Sequence, residues 1–310
     1  MPNEVTDVNP SSLRHLVGQK GVLAQVSTAL DAAFQDHSRF DHALLVGPPG
    51  LGKSQLAAVI AEEMAVDFRE LLGQSIASIC DLHSLLLSAE PKDILHVDEA
   101  HELERHLQTA LYLALDKRVV HANSRQAPRG IPIADFTLLL STTDEYALLQ
   151  PLRDRMRLVL RFGYYSREEL TLLLQQRAYG LGWQVDEGVL LSVASRARGT
   201  PRLALRLLQS CRRVARSLGE TTITARHWEQ ACRLEQIDDL GLGPIERQYL
   251  AYLEDAPNRL NVLASMLGLP PRTVSEVTEQ YLVRAGLVIK DKNGLRQLTP
   301  QGLEHVRRWN

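Results

Sequence analysis

The sequence predicts an α/β nucleotide-binding domain built on a parallel sheet, followed by a helical domain and a C-terminal winged helix. Three observations predict it. Gly47 through Ser54 satisfy the phosphate-loop pattern G-x-x-x-x-G-K-[ST] between an apolar strand and a helix. A second apolar strand, Ile94-Leu95-His96-Val97, ends on the adjacent carboxylates Asp98 and Glu99. The C-terminal stretch carries three short helical patterns and then two strand-like runs that pair across Asp291 to Leu295, with Asn293-Gly294 as a tight-turn signal.

The phosphate loop comes first in the argument. Ala43-Leu44-Leu45-Val46 reads as a buried strand entering it, and the run from Gln55 to Met64 as the helix leaving it. Glycines there let backbone N–H groups turn inward at a helix N-terminus, whose partial positive charge favours an anion. Lys53 supplies a full charge for the β and γ phosphates, and the Ser54 hydroxyl suits Mg²⁺. At the tip of the second strand Asp98 suits Mg²⁺ coordination, while Glu99 can polarise the water that attacks the γ-phosphate.

Composition bounds the rest. At 310 residues, two or three domains are expected. The 45% hydrophobic and 23% charged content is that of a globular protein, no apolar run is long enough to span a membrane, and the N-terminus lacks a signal-peptide pattern, so a cytoplasmic protein is expected. Cys80, Cys211 and Cys232 are scattered, which argues against disulfides or zinc and for core thiols. A net charge of −2 excludes a globally basic nucleic-acid coat but not a local basic surface.

In chain order, residues 1–12 read as a loose lead-in and 21–36 as an amphipathic helix. Strand, loop and helix follow over 68–89, then the acidic strand, then a helix over 103–115. Val119-Val120-His121-Ala122 and Ile131-Pro132-Ile133 flank a polar turn and predict a projecting hairpin. Phe136 through Asp144 reads as a further buried strand, with hydroxyls at its tip and Arg153 and Arg155 soon after. Arginine is suited to planar phosphate contacts. Ser166-Arg167-Glu168-Glu169 looks like a capping box, and the chain beyond it reads as helical to about 233. Seven arginines and no acid lie between Arg196 and Arg216, a pattern that fits a solvated basic helix face or a nucleic-acid surface. Arg202 differs, because a helix N-terminus beside the nucleotide would put it on phosphate. Asp238 through Pro244 reads as a boundary. The expected domains are therefore 1–165, 166–240 and 241–310. In the last, the helix over 272–285 takes the recognition position, with Lys290, Lys292 and Arg296 on the wing facing phosphates or a protein partner.

These residues together resemble the RuvB family of AAA+ ATPases, the motors of Holliday-junction branch migration. The telling stretches are residues 41–53, Pro151-Leu152-Arg153-Asp154-Arg155, Ser195 through Arg202, and 276–286. The resemblance implies an ATP-hydrolysing, helicase-type ring, a hexamer with ATP and Mg²⁺ at subunit boundaries and duplex or junction DNA as partner. It implies Glu99, Thr143 (Thr142 second) and Arg155 as catalytic residues, Arg155 acting on a neighbour's ATP. Gly50, Gly52, Lys53, Ser54, Gln55, Tyr165 and Arg202 would bind nucleotide, Ser54 and Asp98 the metal, and Lys290 and Arg296 the DNA. The chain departs from the family at Asn9 and at Asp144, where arginines are usual. It departs also at the hairpin tip, where Asn123, Ser124, Arg125 and Gln126 replace aliphatic and glycine residues that meet the junction-binding subunit RuvA, and on the wing. Two other classes of function stay open: an ATP-dependent switch whose winged helix binds DNA or protein without translocation, and a clamp-loader-like ATPase.

Overall fold

A computed structural model describes residues 4, 5, 9–122 and 129–308, with Ala122 and Arg129 described by backbone alone. The chain forms two compact units. The first comprises Met1–Leu181 together with Gly199–Arg202, the second Gly182–Arg198 and Leu203–Asn310.

In the first unit, α1 (Lys20–Gln35) precedes β1 (Ala43–Val46), α2 (Lys53–Met64), β2 (Phe68–Leu72), α3 (Ile79–Leu87), β3 (Ile94–Asp98) and α4 (Arg105–Lys117). The hairpin β4 (Val119–Ala122) and β5 (Arg129–Pro132) follows, then β6 (Thr137–Thr142), α5 (Gln150–Arg153), β7 (Leu158–Arg161) and α6 (Arg167–Gly180). Five strands make one parallel sheet in the order β2-β3-β6-β1-β7. Parallel strands need crossovers, and these coat both faces with helices, so the strands are apolar on both sides. Leu44, Leu95, Val97, Leu138 and Leu140 pack with α3 and α4. Ala43, Leu45, Ile94, Leu139 and Leu160 alternate with them and meet α1 and α2.

Local chemistry sets the ends. Ser166 and Glu169 form the expected capping box at the start of α6. Ser12 Oγ and Leu13 N both donate to Glu63 Oε1 at 2.8 Å, which ties the end of the lead-in to α2. The expected hairpin forms, with Val119 opposite Pro132, while its tip residues Asn123, Ser124, Arg125 and Gln126 lie outside the described residues.

In the second unit β8 (Gln184–Val185), α7 (Glu187–Arg196), α8 (Pro201–Ser217, from Leu203 on), β9 (Thr222–Ile223) and α9 (Ala225–Glu235) come first. The pairing of β8 with β9 departs from the helical expectation, since two-residue strands leave no periodicity in the sequence. Then α10 (Pro244–Ala251), β10 (Asn258–Arg259), α11 (Leu260–Leu267), α12 (Pro271–Thr273), a π turn (Val274–Thr278), α13 (Glu279–Arg284), β11 (Val288–Lys290), β12 (Leu295–Leu298) and α14 (Pro300–Arg307) form the winged helix. The wing turn is wider than an Asn-Gly turn: Gly294 takes positive φ while Asp291 Oδ1 accepts from Asn293 and Leu295 N–H. A third strand, β10, pairs with β12. His305 on α14 meets Asp238 at 3.0 Å, anchoring the C-terminal helix to the segment after α9. Cys211 is buried, but Cys80 is exposed, contrary to the expectation of core thiols. No helix among the described residues is long and apolar enough to cross a membrane.

One buried histidine makes the sheet sensitive to acid. His42 Nδ1 accepts from Leu138 N at 2.8 Å at the entry to β6, so the ring must be neutral there. Burial first, then nearby arginines led by Arg39, push its pKa down to about 3. The unfolded chain takes up this proton near the ordinary histidine value of 6.5, whereas the folded chain refuses it until about 3. Stability from this group is intact above 6.5 and falls as pH drops through that window, by up to about 1.4 kcal/mol per pH unit. His42→Asn keeps an acceptor in the Nδ1 position and removes the proton. Its unfolding free energy, measured by denaturant titration, should fall less steeply than wild type between pH 6.5 and 5; parallel curves would rule His42 out as the cause.

Candidate nucleotide site

The sheet register levels the tips of its strands. Val46 pairs with Thr142 and with Arg161, and Leu72 pairs with Asp98. The phosphate loop, the two carboxylates and the β6 tip therefore leave the sheet side by side, at the edge where open α/β sheets bind ligands.

Gly50 and Gly52 have φ of 76° and 96°, a region that side chains rarely adopt. A Cβ on Gly50 would also stand 2.9 Å from Arg202 Cβ. Lys53 is buried and its Nζ donates to Gly47 O at 2.8 Å and Pro48 O at 3.0 Å, so the lysine braces the loop from inside. Burial lowers its pKa, while Glu99 and Asp98 act in the opposite sense. Ser54 Oγ donates to Asp98 Oδ2 at 3.1 Å. A hydroxyl and a carboxylate oxygen this close are a hard-oxygen pair that fits Mg²⁺.

Tyr165 is bound to the loop: its Oη donates to Leu51 O at 3.3 Å and its N to Gly199 O at 3.0 Å. Burial raises its phenol to about 12, keeping it neutral. Arg202 N donates to Gly50 O at 3.3 Å, so the helix start bearing Arg202 abuts the phosphate loop. Gln55 lies in the first turn of α2. The structure thus brings together Gly50, Gly52, Lys53, Ser54, Gln55, Asp98, Glu99, Tyr165 and Arg202.

Glu99 takes a left-handed conformation, φ 49°, as the chain turns out of β3. Gly73, just past β2, makes room for that turn, because a Cβ there would lie 2.5 Å from Glu99 O. Sequence reasoning misses Gly73. Its only signal is a glycine following a strand, and the close approach is set by the register of Leu72 with Asp98. At the β6 tip Thr143 is exposed, whereas Thr142 is buried and bonded to His101 and Asp144. Below the tips a polar line crosses three strands: His96 Nδ1 meets Glu70 at 3.0 Å and Nε2 meets Ser141 at 2.7 Å. Arg155 is held by Asp116, with Nε 2.7 Å from Oδ1, and lies over the Tyr112 ring.

The wing requires a correction. Arg296 was expected to face phosphate, yet it is buried, and its Nε and Nη2 lie 2.7 and 3.3 Å from Glu279. Lys290 Nζ is 3.1 Å from the same carboxylate, and Tyr249 Oη donates to it at 3.1 Å. Burial by itself would raise the Glu279 carboxyl, but the bonds from Arg296 and Lys290 bring it below the usual range. A buried acid on α13 draws the arginine inward because an unpaired buried carboxylate is far more costly than a paired one. Lys290 keeps 44% of its side chain exposed, and Lys292 at the turn is exposed.

A P-loop AAA+ ATPase core followed by a helical lid and a winged helix is the class that this fold and site define. Similarity to known proteins narrows it. The RuvB P-loop domain model matches residues 8–162, the RuvB AAA lid model 165–238, and the RuvB C-terminal winged-helix model 239–307. The Holliday junction branch migration complex subunit RuvB of Limosilactobacillus reuteri is 34% identical over 98% of this chain and 91% of its own. That of Fervidobacterium nodosum is 32% identical over 93% and 85%. Among solved structures, the Thermotoga maritima RuvB Holliday junction branch migration motor is 32% identical, with a TM-score of 0.85 over 96% of this chain and 98% of that one. The chain belongs to the RuvB family.

The buried cluster at Glu279 can be tested by stability. Arg296→Met leaves the acid with Lys290 and the Tyr249 hydroxyl and should lower the unfolding free energy by about 3 kcal/mol, whereas Lys290→Met should lose less than about 1 kcal/mol. Equal losses in denaturant titrations would show that Arg296 is not the principal partner of Glu279.

Proposed function

We propose that the protein is the ATP-hydrolysing motor of a homo-oligomeric ring, a hexamer, that drives branch migration of Holliday junctions in recombination and repair. The observation that carries the ATPase part is the Ser54–Asp98 contact beside Glu99 at the phosphate loop. Family membership carries the DNA part. The domains of the proposal are 1–165, 166–240 and 241–310.

In this reading Gly50, Gly52 and Gln55 offer backbone N–H groups to the phosphates, and Lys53 turns from its loop carbonyls to the β and γ oxygens. Ser54 and Asp98 hold Mg²⁺, which when bound neutralises charge on the transferring group. Glu99 polarises the attacking water, Thr143 senses the γ-phosphate, Tyr165 packs near the adenine, and Arg202 contacts phosphate in cis. Arg155 leaves Asp116 to reach the ATP of an adjoining subunit. Lys290 and Lys292 carry the wing's contact with DNA, and Arg296 supports the domain from within. A RuvA-like subunit docks at the β4–β5 hairpin.

One observation favours a second reading, a switch that does not translocate: Glu279 engages two of the expected wing cations, burying one of them. Branched DNA should stimulate the ATPase of a motor, and more so with a RuvA subunit. No stimulation by junctions, with normal basal turnover, would favour the switch.

The site assignments predict separable losses. Lys53→Ala should abolish nucleotide binding, while Glu99→Gln should retain ATP and lose turnover by about 10² or more. Wild-type hydrolysis by Glu99→Gln would remove that residue from the chemistry.

Arg155→Ala should bind ATP but hydrolyse it about 10³ to 10⁵ more slowly. Mixed with Glu99→Gln protein, it should regain activity, because some boundaries then pair an intact Glu99 with an intact Arg155. Stable mixed rings with no recovery would count against action in trans.

A further inference from the structure

The carboxylate of Glu99 is not alone at the tip of β3. Its side chain is 37% exposed overall, yet Oε2 is buried and makes no hydrogen bond of ordinary length. A buried carboxylate oxygen without a donor is unfavourable, so the donor beside it matters. That donor is His101 Nδ1, 3.4 Å away. The same nitrogen is 3.2 Å from Thr142 Oγ1. On its other side His101 Nε2 lies 3.5 Å from Glu102, and the ring is mostly enclosed.

The direction of these contacts follows from the hydroxyl. Thr142 Oγ1 lies 3.0 Å from Asp144 O, which can only accept, so the hydroxyl hydrogen points there. Asp144 N donates back to Oγ1 at 3.0 Å. Thr142 is therefore an acceptor toward the ring, and Nδ1 carries the hydrogen. The one N–H meets the hydroxyl at the end of β6, and the Glu99 carboxylate at the end of β3 stands beside it just outside hydrogen-bond geometry. Thr143 lies inside the very turn, Thr142 to Asp144, that one of these acceptors closes.

We propose that His101 is a positioning residue that couples the two strand tips: its Nδ1–H rests on Thr142, and a shift of the Thr143 turn passes it to the adjacent Glu99 carboxylate, fixing Oε2 inward and leaving Oε1 for water. The coupling rests on the roles proposed above for Glu99 and Thr143. It distinguishes His101 from a packing residue, because what is required of it is a donor at one atom and not a ring of a given volume.

The test uses the full-length protein, with steady-state hydrolysis and the affinity for a fluorescent ATP analogue measured with Mg²⁺. His101→Phe keeps the ring volume and removes the donor; kcat should fall about tenfold or more, while affinity stays within about twofold. His101→Asn places an amide N–H close to the Nδ1 position and should recover kcat to within about threefold of wild type. Thr142→Val should change kcat in the wild-type background but have no further effect beside His101→Phe, the non-additivity of two groups joined through one hydrogen. Wild-type kcat in His101→Phe, equal losses in the Phe and Asn variants, or additive losses in the double variant would each overturn the proposal. If His101→Phe does not fold, His101→Ala, which also removes the donor, takes its place in the same cycle with Thr142→Val: additivity there overturns the coupling. Glu99→Gln runs alongside. Turnover retained in that variant sinks the reading of Glu99 itself, whereas an inactive Glu99→Gln beside a fully active His101→Phe sinks the coupling alone.

Discussion

The chemistry of this protein depends on the register of a parallel sheet. Because Val46 is level with Thr142 and Arg161, and Leu72 with Asp98, groups on five separate stretches of chain emerge in one row. A one-residue slip in any strand would exchange its faces and carry its tip residue away from the phosphate loop. The row is fixed by what lies beneath it. Alternate leucines and isoleucines fill both faces, and Glu70, His96 and Ser141 bond across β2, β3 and β6 one pleat below the carboxylates. Two backbones then approach closely enough at the row to require a glycine at position 73.

Electrostatic balance is the second constraint, and it is met differently in the two units. At the phosphate loop a buried lysine is braced by carbonyls and faces two acids, so its charge is held ready for an anion and is not consumed by an ion pair. In the winged helix the buried charge is an acid, and the molecule answers it with Arg296, Lys290 and the Tyr249 hydroxyl. Those cations satisfy an interior demand before any exterior one. The same residue types therefore serve binding in one unit and folding in the other, and the difference lies in which partner is buried.

This difference marks how far the sequence could be read. Local and motif-borne features were legible: the phosphate loop, the acidic strand tip, the capping box at Ser166, the β4–β5 hairpin, and the helices and hairpin of the winged domain. Each is specified within about a dozen residues by periodicity or by a residue with one conformational use. What escaped depends on tertiary neighbours. Glu279 lies in a helix whose polar and apolar positions are interrupted by a π turn, so a strict 3.6-residue period does not show it facing inward. Gly73 acquires its importance from Glu99, twenty-six residues away at the tip of another strand. His101 could have been noticed two positions after Glu99, but its link to Thr142 requires the sheet.

The inward turn of Arg296 bears on how the winged helix can engage DNA. Phosphate contacts are driven by the release of cations condensed on the DNA, and a guanidinium whose charge is already matched by a buried carboxylate has little left to displace them. To reach a phosphate, Arg296 would have to leave Glu279 paired with Lys290 alone, and that cost is of the same order as the stabilisation a new phosphate bond would bring. In the proposed DNA contact, phosphate binding would pass to groups whose charge still faces water, Lys292 at the turn and the exposed part of Lys290. With few such charges on the wing, a firm hold on DNA requires several copies acting together, each weak contact raised by the local concentration the others impose. The ring proposed above would supply that multiplicity, and weak individual contacts would let each copy release and rebind the duplex as neighbouring subunits hydrolyse ATP.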